Sequence, residues 1–526
     1  MKNRNKIALF TAIFLIIQII PWVVIASPIF ILAEYDYDLD IFRNKIEEFS
    51  KEIICMTAAS SYPFKYEKNP DGTYTVTGIQ RQEVKNGTTY QYIYESIVVP
   101  SLYMGKPVTK IGDEAFKSLS DLKTVLIPDT ITHIGSSAFE SCTLLQEINL
   151  PDTITHIGSG AFESCTSLKE INLPDSIVSI GSYAFKYCES LTEIALPRSI
   201  TEIKEHTFTW CKNLQNVRLP SSITKIEGYA FYCCLSLEKI TLPKNLEYIG
   251  SRAFASCAIS EIVIPDSVKE IEYLAFEDCG NLKSITLSKN LTKISDSVFK
   301  GTDIEHIVIP EGVTEIRDGA FFYSKLKSIE LPSTLKTLVG GAFESTLLTE
   351  MIIPEDIDII GGDLFKNCPY LTTVTLPNHI KNIPDGIFQD CKNLKTVNYA
   401  NDIKTIGYDS FSGSGITEFI APSTLESIGT SAFESCKELK TVVLNEGLTG
   451  ISWRVFKNCT ALESIVIPNS VRKIEYEAFC RCTSLSEIRF NGTVEQWESI
   501  EKGEWWDSQM PSYTVICTNG EINISE

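Results

Sequence analysis

The stretch from Glu147 to Leu168 reads EINLPDTITHIGSGAFESCTSL, and the chain repeats it almost at once. Residues 170–191 read EINLPDSIVSIGSYAFKYCESL, and residues 193–214 read EIALPRSITEIKEHTFTWCKNL. One phenylalanine marks each copy. From Phe116 to Phe479, seventeen of them recur at intervals of 22 or 23 residues. A fixed period of that length means that one small supersecondary unit is copied and stacked. The product is a solenoid and not a closed domain.

Within the unit, Ile148 and Leu150 alternate with Asn149, the period of a strand with one face buried. Pro151 ends that strand because it has no N–H to give a ladder. A second apolar pair, Ile154 and Ile157, leads into Gly158, and Ala161-Phe162 then enters a short helical or irregular segment. The unit carries about eight apolar side chains, each large one worth roughly 1.5–3 kcal/mol when buried. A unit this small cannot bury them alone, so turns must stack above and below it. The fold expected is stacked parallel strands joined by short helical or irregular turns, in about 17 repeats.

The array runs over residues 97–490 and is flanked by other material. Lys2, Arg4 and Lys6 precede an apolar run from Ile7 to Ile25. Residues 1–26 therefore read either as an export signal cut after Ala26 or as an uncleaved N-terminal anchor. In the segment 27–96, Ile41–Ile54 is weakly amphipathic, and Phe64–Ile79 reads as a capping hairpin turning at Asp71-Gly72. Residues 491–526 depart from the repeat and form a C-terminal cap, with Trp497, Trp505 and Trp506 expected to pack on the last turn, or alternatively to offer an aromatic platform to a carbohydrate.

The 526 residues include 67 acidic and 47 basic side chains, a formal net charge of -20. No basic stripe is present, which argues against nucleic acid as a partner. Twelve of the sixteen cysteines, from Cys142 to Cys482, stand three residues after a repeat phenylalanine. Leu119, Thr302, Ser324, Thr346 and Ser414 take the same slot elsewhere, and a slot that accepts Thr and Ser calls for a small side chain. A column of packed free thiols fits better than disulfides, or than zinc, which needs four converging ligands.

These residues carry a resemblance. The pattern LxxIxLPxxIxxIGxxAFxxCxxL resembles the BspA-type leucine-rich repeat, also called the Treponema pallidum class. Ordinary leucine-rich repeats place Asn or Cys where this chain has proline after the strand. The resemblance implies a secreted or cell-surface, monomeric protein that adheres to extracellular protein or glycan. Membrane contact would come only through an uncleaved N-terminal anchor. It supplies no catalytic residues, metal or cofactor to carry over. The five histidines form no recognisable triad, and no Gly-rich phosphate loop or HExxH motif is present.

The outward strand position, two residues before the proline, is where binding is expected. It carries Val263, Val308, Ile352, Ile420, Val443 and Val466, and exposed apolar residues in a row can mark an interaction surface. They are also simply good strand formers. Weaker candidates are Glu147, Glu170 and Glu193, either a calcium-binding carboxylate ladder or a solvated one. Tyr187 and Trp210, within an aromatic cluster, read either as a binding hot spot or as packing between turns. The competing reading of the whole chain is a structural spacer with no specific ligand.

Overall fold

A computed structural model describes residues 62–85 and 88–525. The N-terminal apolar segment and the Ile41–Ile54 stretch lie outside them. The described chain is a parallel β-solenoid of about 18 turns with almost no helix. Each turn contributes two short strands. In the turn quoted above these are Glu147–Asn149 and His156–Ile157. The first stacks in register on Thr124–Leu126, the second between His133–Ile134 and Ser179–Ile180. Ile148 and Leu150 face the interior and Asn149 faces solvent, as the alternation requires.

The phenylalanines form one continuous column. From Phe116 to Phe479 neighbouring ring centroids are 5.2–6.0 Å apart, and most pairs are stacked. The segment around each ring is not a helix. Ser137 (φ 54°) and Ser141 (φ 60°) flank Phe139 in the left-handed region, and the pattern recurs in every turn. The N–H groups of Ser137, Phe139 and Ser141 all donate to the next turn, to the carbonyls of Ser159, Ala161 and Glu163. A helix would have spent those donors within itself. Of the two forms expected for this segment, helical or irregular, the irregular one is present, and the described repeats hold no α-helix. Val494–Glu498, in the C-terminal region, is the one α-helix among the described residues.

The cysteine slot is a buried hydrogen-bonding position. Cys142 Sγ donates to Phe116 O at 3.2 Å, and all twelve cysteines of the column repeat this bond to the preceding turn. Thr302 and Thr346 donate instead to Phe299 O and Phe343 O of their own turns, both at 2.8 Å. The fifteen described cysteines are free and buried. Burial pushes the Cys142 and Cys436 thiols up to about 12. The thiolate is the reactive form, so a thiol reagent should label at most Cys55 in the native protein and all sixteen cysteines in denaturant. Rapid native labelling of two or more thiols, or fewer than sixteen after unfolding, would contradict the column of free thiols.

Both ends are covered. Phe64–Lys68 and Tyr74–Ile79 form an antiparallel hairpin through Gly72 (φ 85°). Its second strand pairs in parallel with Lys106–Ile111, the first strand of the short-strand ladder. Arg81 donates to the Lys117 carbonyl, placing a cation at the end of the turn column where carbonyls face outward. At the other end Tyr513–Cys517 extends the long-strand ladder and folds back on Gly520–Ile524. Trp497 and Trp506 are buried there, Trp506 edge-on to Phe479 at 6.1 Å. Trp505 is exposed and only leans on Tyr476, so it does not join that packing.

Neither ladder is continuous. The short-strand ladder breaks after Ile180, Ile271, Ile360 and Ile428. In each case the next turn lacks the glycine of the Ile-Gly step, with Lys204, Ser295, Pro384 and Ser452 in its place, but Glu227, Glu272, Arg317, Val339 and Glu475 take the same slot without a break. Pro384 has no N–H to donate. Ser295 and Ser452 send their hydroxyls to Ile271 O and Ile428 O, at 2.5 and 2.6 Å. The long-strand ladder breaks in other places, and those breaks shape the candidate surface.

Candidate binding surface

Outward residues of the long strands form the broad face on which the candidates lie. Val263, Val308, Ile352 and Ile420 are exposed by 66%, 59%, 74% and 65%, high values for aliphatic side chains. Val443 is less exposed and Val466 half-buried. They do not form one row. In register, Val263 stands beside Thr286, Val308 beside Glu330, and Ile352 beside Thr375 and then Asn398. Only Ile420, Val443 and Val466 are consecutive, followed by Arg489.

The strands that carry these four residues share a local feature. Pro174 follows Phe162 by 12 residues, whereas Pro265, Pro310, Pro354 and Pro422 follow Phe254, Phe299, Phe343 and Phe411 by 11. One residue fewer between the phenylalanine turn and the strand shifts that strand against its predecessor. Glu261–Val263, His306–Val308, Glu350–Ile352 and Glu418–Ile420 each begin a new sheet, paired downstream and not upstream. The fifth shortened turn, Ser328–Glu330, stays paired with His306–Val308 and carries Glu330 outward. Two of the strands just upstream of an opening have inward residues, Ile329 and Val397, that are only half-buried. The ladder is also open around residues 170–172 and between Arg218 and Lys239, where turn length gives no account of it. A groove of about 330 Å³ lies at the latter gap, lined by Glu193, Asn216, Arg218, Lys239 and Thr241.

The three glutamates are exposed but are not a ladder. Glu147 pairs with Thr124 and Glu193 with Asn216, while the strand position of Glu170 pairs with neither side. Among the described residues no three His, Cys, Asp or Glu side chains converge to hold a metal ion. The acidic groups with raised pKa, Asp318, Glu344 and Asp409, lie off the strand face. Burial is the main cause in each, and neighbouring carboxylates add to it.

The aromatic cluster sits on the phenylalanine turns, off the strand face. Tyr183, His206 and Tyr229 stack in a pile at 4.8 and 4.5 Å, and Tyr187 stacks on Trp210 at 6.4 Å. Lys186 lies over both Tyr183 and Tyr187, and Lys212 over Trp210. The faces of these rings are thus turned to one another and to lysines of their own turns. Tyr187 and Trp210 join turn to turn and present no free platform on which a sugar could stack.

Among the described residues one histidine is hydrogen-bonded to a serine, His306 Nδ1 with Ser328 Oγ at 2.6 Å, on the exposed face. Among the described residues no carboxylate is hydrogen-bonded to that imidazole. His133 and His156 stack at 4.5 Å, and burial followed by the charge of His156 lowers the His133 pKa. The neutral form is favoured in the fold, so this term stabilises most above the usual histidine pKa and is lost as pH falls through it. His133→Gln should therefore flatten the decline in melting temperature between pH 7.5 and 5.5. An unchanged decline would remove His133 as a contributor.

Residues 88–215, 201–326, 292–417 and 404–522 match the BspA type leucine rich repeat region, in six copies. The chain belongs to the BspA-type leucine-rich repeat family. Three solved structures of leucine-rich repeat proteins resemble it. One is from Bacteroides ovatus, at 27% identity, covering 84% of this chain and 98% of that one, with a TM-score of 0.48. A leucine rich cell surface protein from Faecalibacterium prausnitzii matches at 27% identity, covering 84% and 96%, with a TM-score of 0.36. The T. pallidum leucine rich repeat protein matches at 26% identity, covering 45% and 86%, with a TM-score of 0.29. Comparison with curated proteins gave no match. In this BspA-type chain the departures from the shared repeat, above all the shortened turns, distinguish one stretch of the face from another.

Proposed function

We propose that this BspA-type chain is a non-catalytic binding protein displayed outside the cell, an adhesin whose strand face takes a protein ligand. The observation that carries the reading is the exposure of Val263, Val308, Ile352 and Ile420 on the strand face. Aliphatic side chains held out by a hydrogen-bonded scaffold cost stability in water and recover it when a partner covers them. Glycan is the weaker ligand class for this face, because the Tyr187–Trp210 cluster lies off it and its rings pack on one another. Display outside the cell is supported by the basic-then-apolar N-terminus. A rigid array also lowers the ordering cost of binding.

The test uses residues 27–526 as a purified protein on an array of extracellular-matrix proteins, mucins and glycans, with and without calcium. Saturable binding to a protein is expected, lost by at least tenfold when Val308, Ile352 and Ile420 are changed together to lysine. These positions are exposed, so the variant should melt within a few degrees of the parent. Absence of any ligand for a demonstrably folded protein would favour the spacer reading, and calcium-dependent glycan binding untouched by the substitutions would displace the proposed face.

A further inference from the structure

We infer that the strand face between Val263 and Ile420 docks a basic amphipathic helix with apolar residues at heptad spacing. The inference rests on the protein-binding reading above and specifies its partner. Three observations support it. The apolar knobs are periodic: Val263 to Val308 and Val308 to Ile352 are steps of two turns, and Ile352 to Ile420 is a step of three. With strands about 4.8 Å apart, two turns span about 10 Å and three about 15 Å. A helix rises about 10.5 Å in seven residues and about 16 Å in three turns. Leucines at i, i+7 and i+14 of a helix laid along the solenoid axis therefore meet Val263, Val308 and Ile352, and one about eleven residues further meets Ile420.

Each knob stands at a strand that is unpaired on its upstream side. Beside two of the openings the inward residues Ile329 and Val397 are only half-buried, which leaves apolar surface next to Ile352 and Ile420 for a partner's side chains to cover.

Charge sets the partner's sign. Two residues before each knob stand Glu261, His306, Glu350 and Glu418, all exposed. Glu261 has only a loose contact with Lys239 at 3.5 Å, and neither Glu350 nor Glu418 has an ion pair among the described residues. Thus three knobs carry a carboxylate on the same flank, in a chain of net charge -20. Lysines flanking a leucine seam would meet them.

The probe is a synthetic lysine-rich peptide about four heptads long, with leucines at heptad spacing. Its control is a scrambled peptide of the same composition. Fluorescence anisotropy against residues 27–526 should give at least tenfold tighter binding for the heptad peptide. Val308→Ser with Ile352→Ser should weaken it tenfold or more, and Glu350→Gln with Glu418→Gln severalfold, with unchanged circular dichroism. Equal binding of the scrambled peptide, or no effect of the serine pair, would overturn the inference. An array protein that binds this face without being displaced by the heptad peptide would also overturn it, while leaving the adhesin reading in place. Heptad-peptide binding with no array ligand would remove the broader reading's evidence and keep the site.

Discussion

Phe254→Ala is expected to destabilise the protein by about 3–5 kcal/mol, the range for deleting a fully buried phenylalanine side chain. Phe254 is 0% exposed and lies between Phe231 at 5.4 Å and Phe276 at 5.5 Å. The stack cannot close over the gap. The N–H groups of Arg252, Phe254 and Ser256 hold the turn to its successor, donating to Tyr273, Ala275 and Glu277. The cavity therefore persists, and both of its interfaces weaken. In a stacked array stability is close to a sum of nearest-neighbour terms, so the loss in the middle should also divide the unfolding. Urea denaturation followed by circular dichroism should show a lower midpoint and a broader or two-step transition. A loss below about 1 kcal/mol would mean that the column relaxes, and that ring stacking is not what holds the turns together.

Gly181→Ala should cost about 1–3 kcal/mol, although it adds a single methyl group. A Cβ at Gly181 would sit 2.4 Å from Ser159 N and 2.6 Å from the Gly158 carbonyl carbon. Those are backbone atoms of the preceding turn and cannot rotate away. To make room the turn must move outward, at the expense of the Gly181 N–H bond to Ile157 O at 2.9 Å. In the next turn Lys204 fills the same slot and the short-strand ladder is broken there, whereas one turn further Glu227 fills it and keeps its N–H bond to Ile203 O at 2.9 Å, so the cost is specific to the close approach at Gly181. Gly280→Ala is the control. Nothing lies within 4 Å of its Cβ position, and the substitution should be neutral within about 0.5 kcal/mol. Equal melting temperatures for the two variants would show that close approach does not set the requirement at Gly181.

The candidate residues divide along a physical line. Val263, Val308, Ile352 and Ile420 were legible as candidates because period 2 fixes which strand residues face outward. Their separation into distinct openings was not, because pairing depends on how one turn lies on another. Glu147, Glu170 and Glu193 recur at one slot, yet the unpaired strand at residues 170–172 separates them. Tyr187 and Trp210 were visible as a cluster. Their role as mutual packing followed only from the orientation of the rings.

By itself the sequence determined the solenoid, its inward strand residues and the small cysteine slot. All three follow from periodicity, since a residue type repeated at a fixed interval must meet the same environment in every turn. Tertiary structure alone decided the two left-handed residues flanking each phenylalanine. Those positions hold Ser, Tyr, His, Trp, Arg and Asp as readily as glycine. The conformation costs roughly 1–2 kcal/mol per residue, and the N–H bonds it directs to the next turn offset that cost. A neighbouring turn supplies the acceptors, so no local signature marks the position. The openings on the strand face arise in the same way: one residue fewer in a turn is written in the spacing, but its effect exists only between turns.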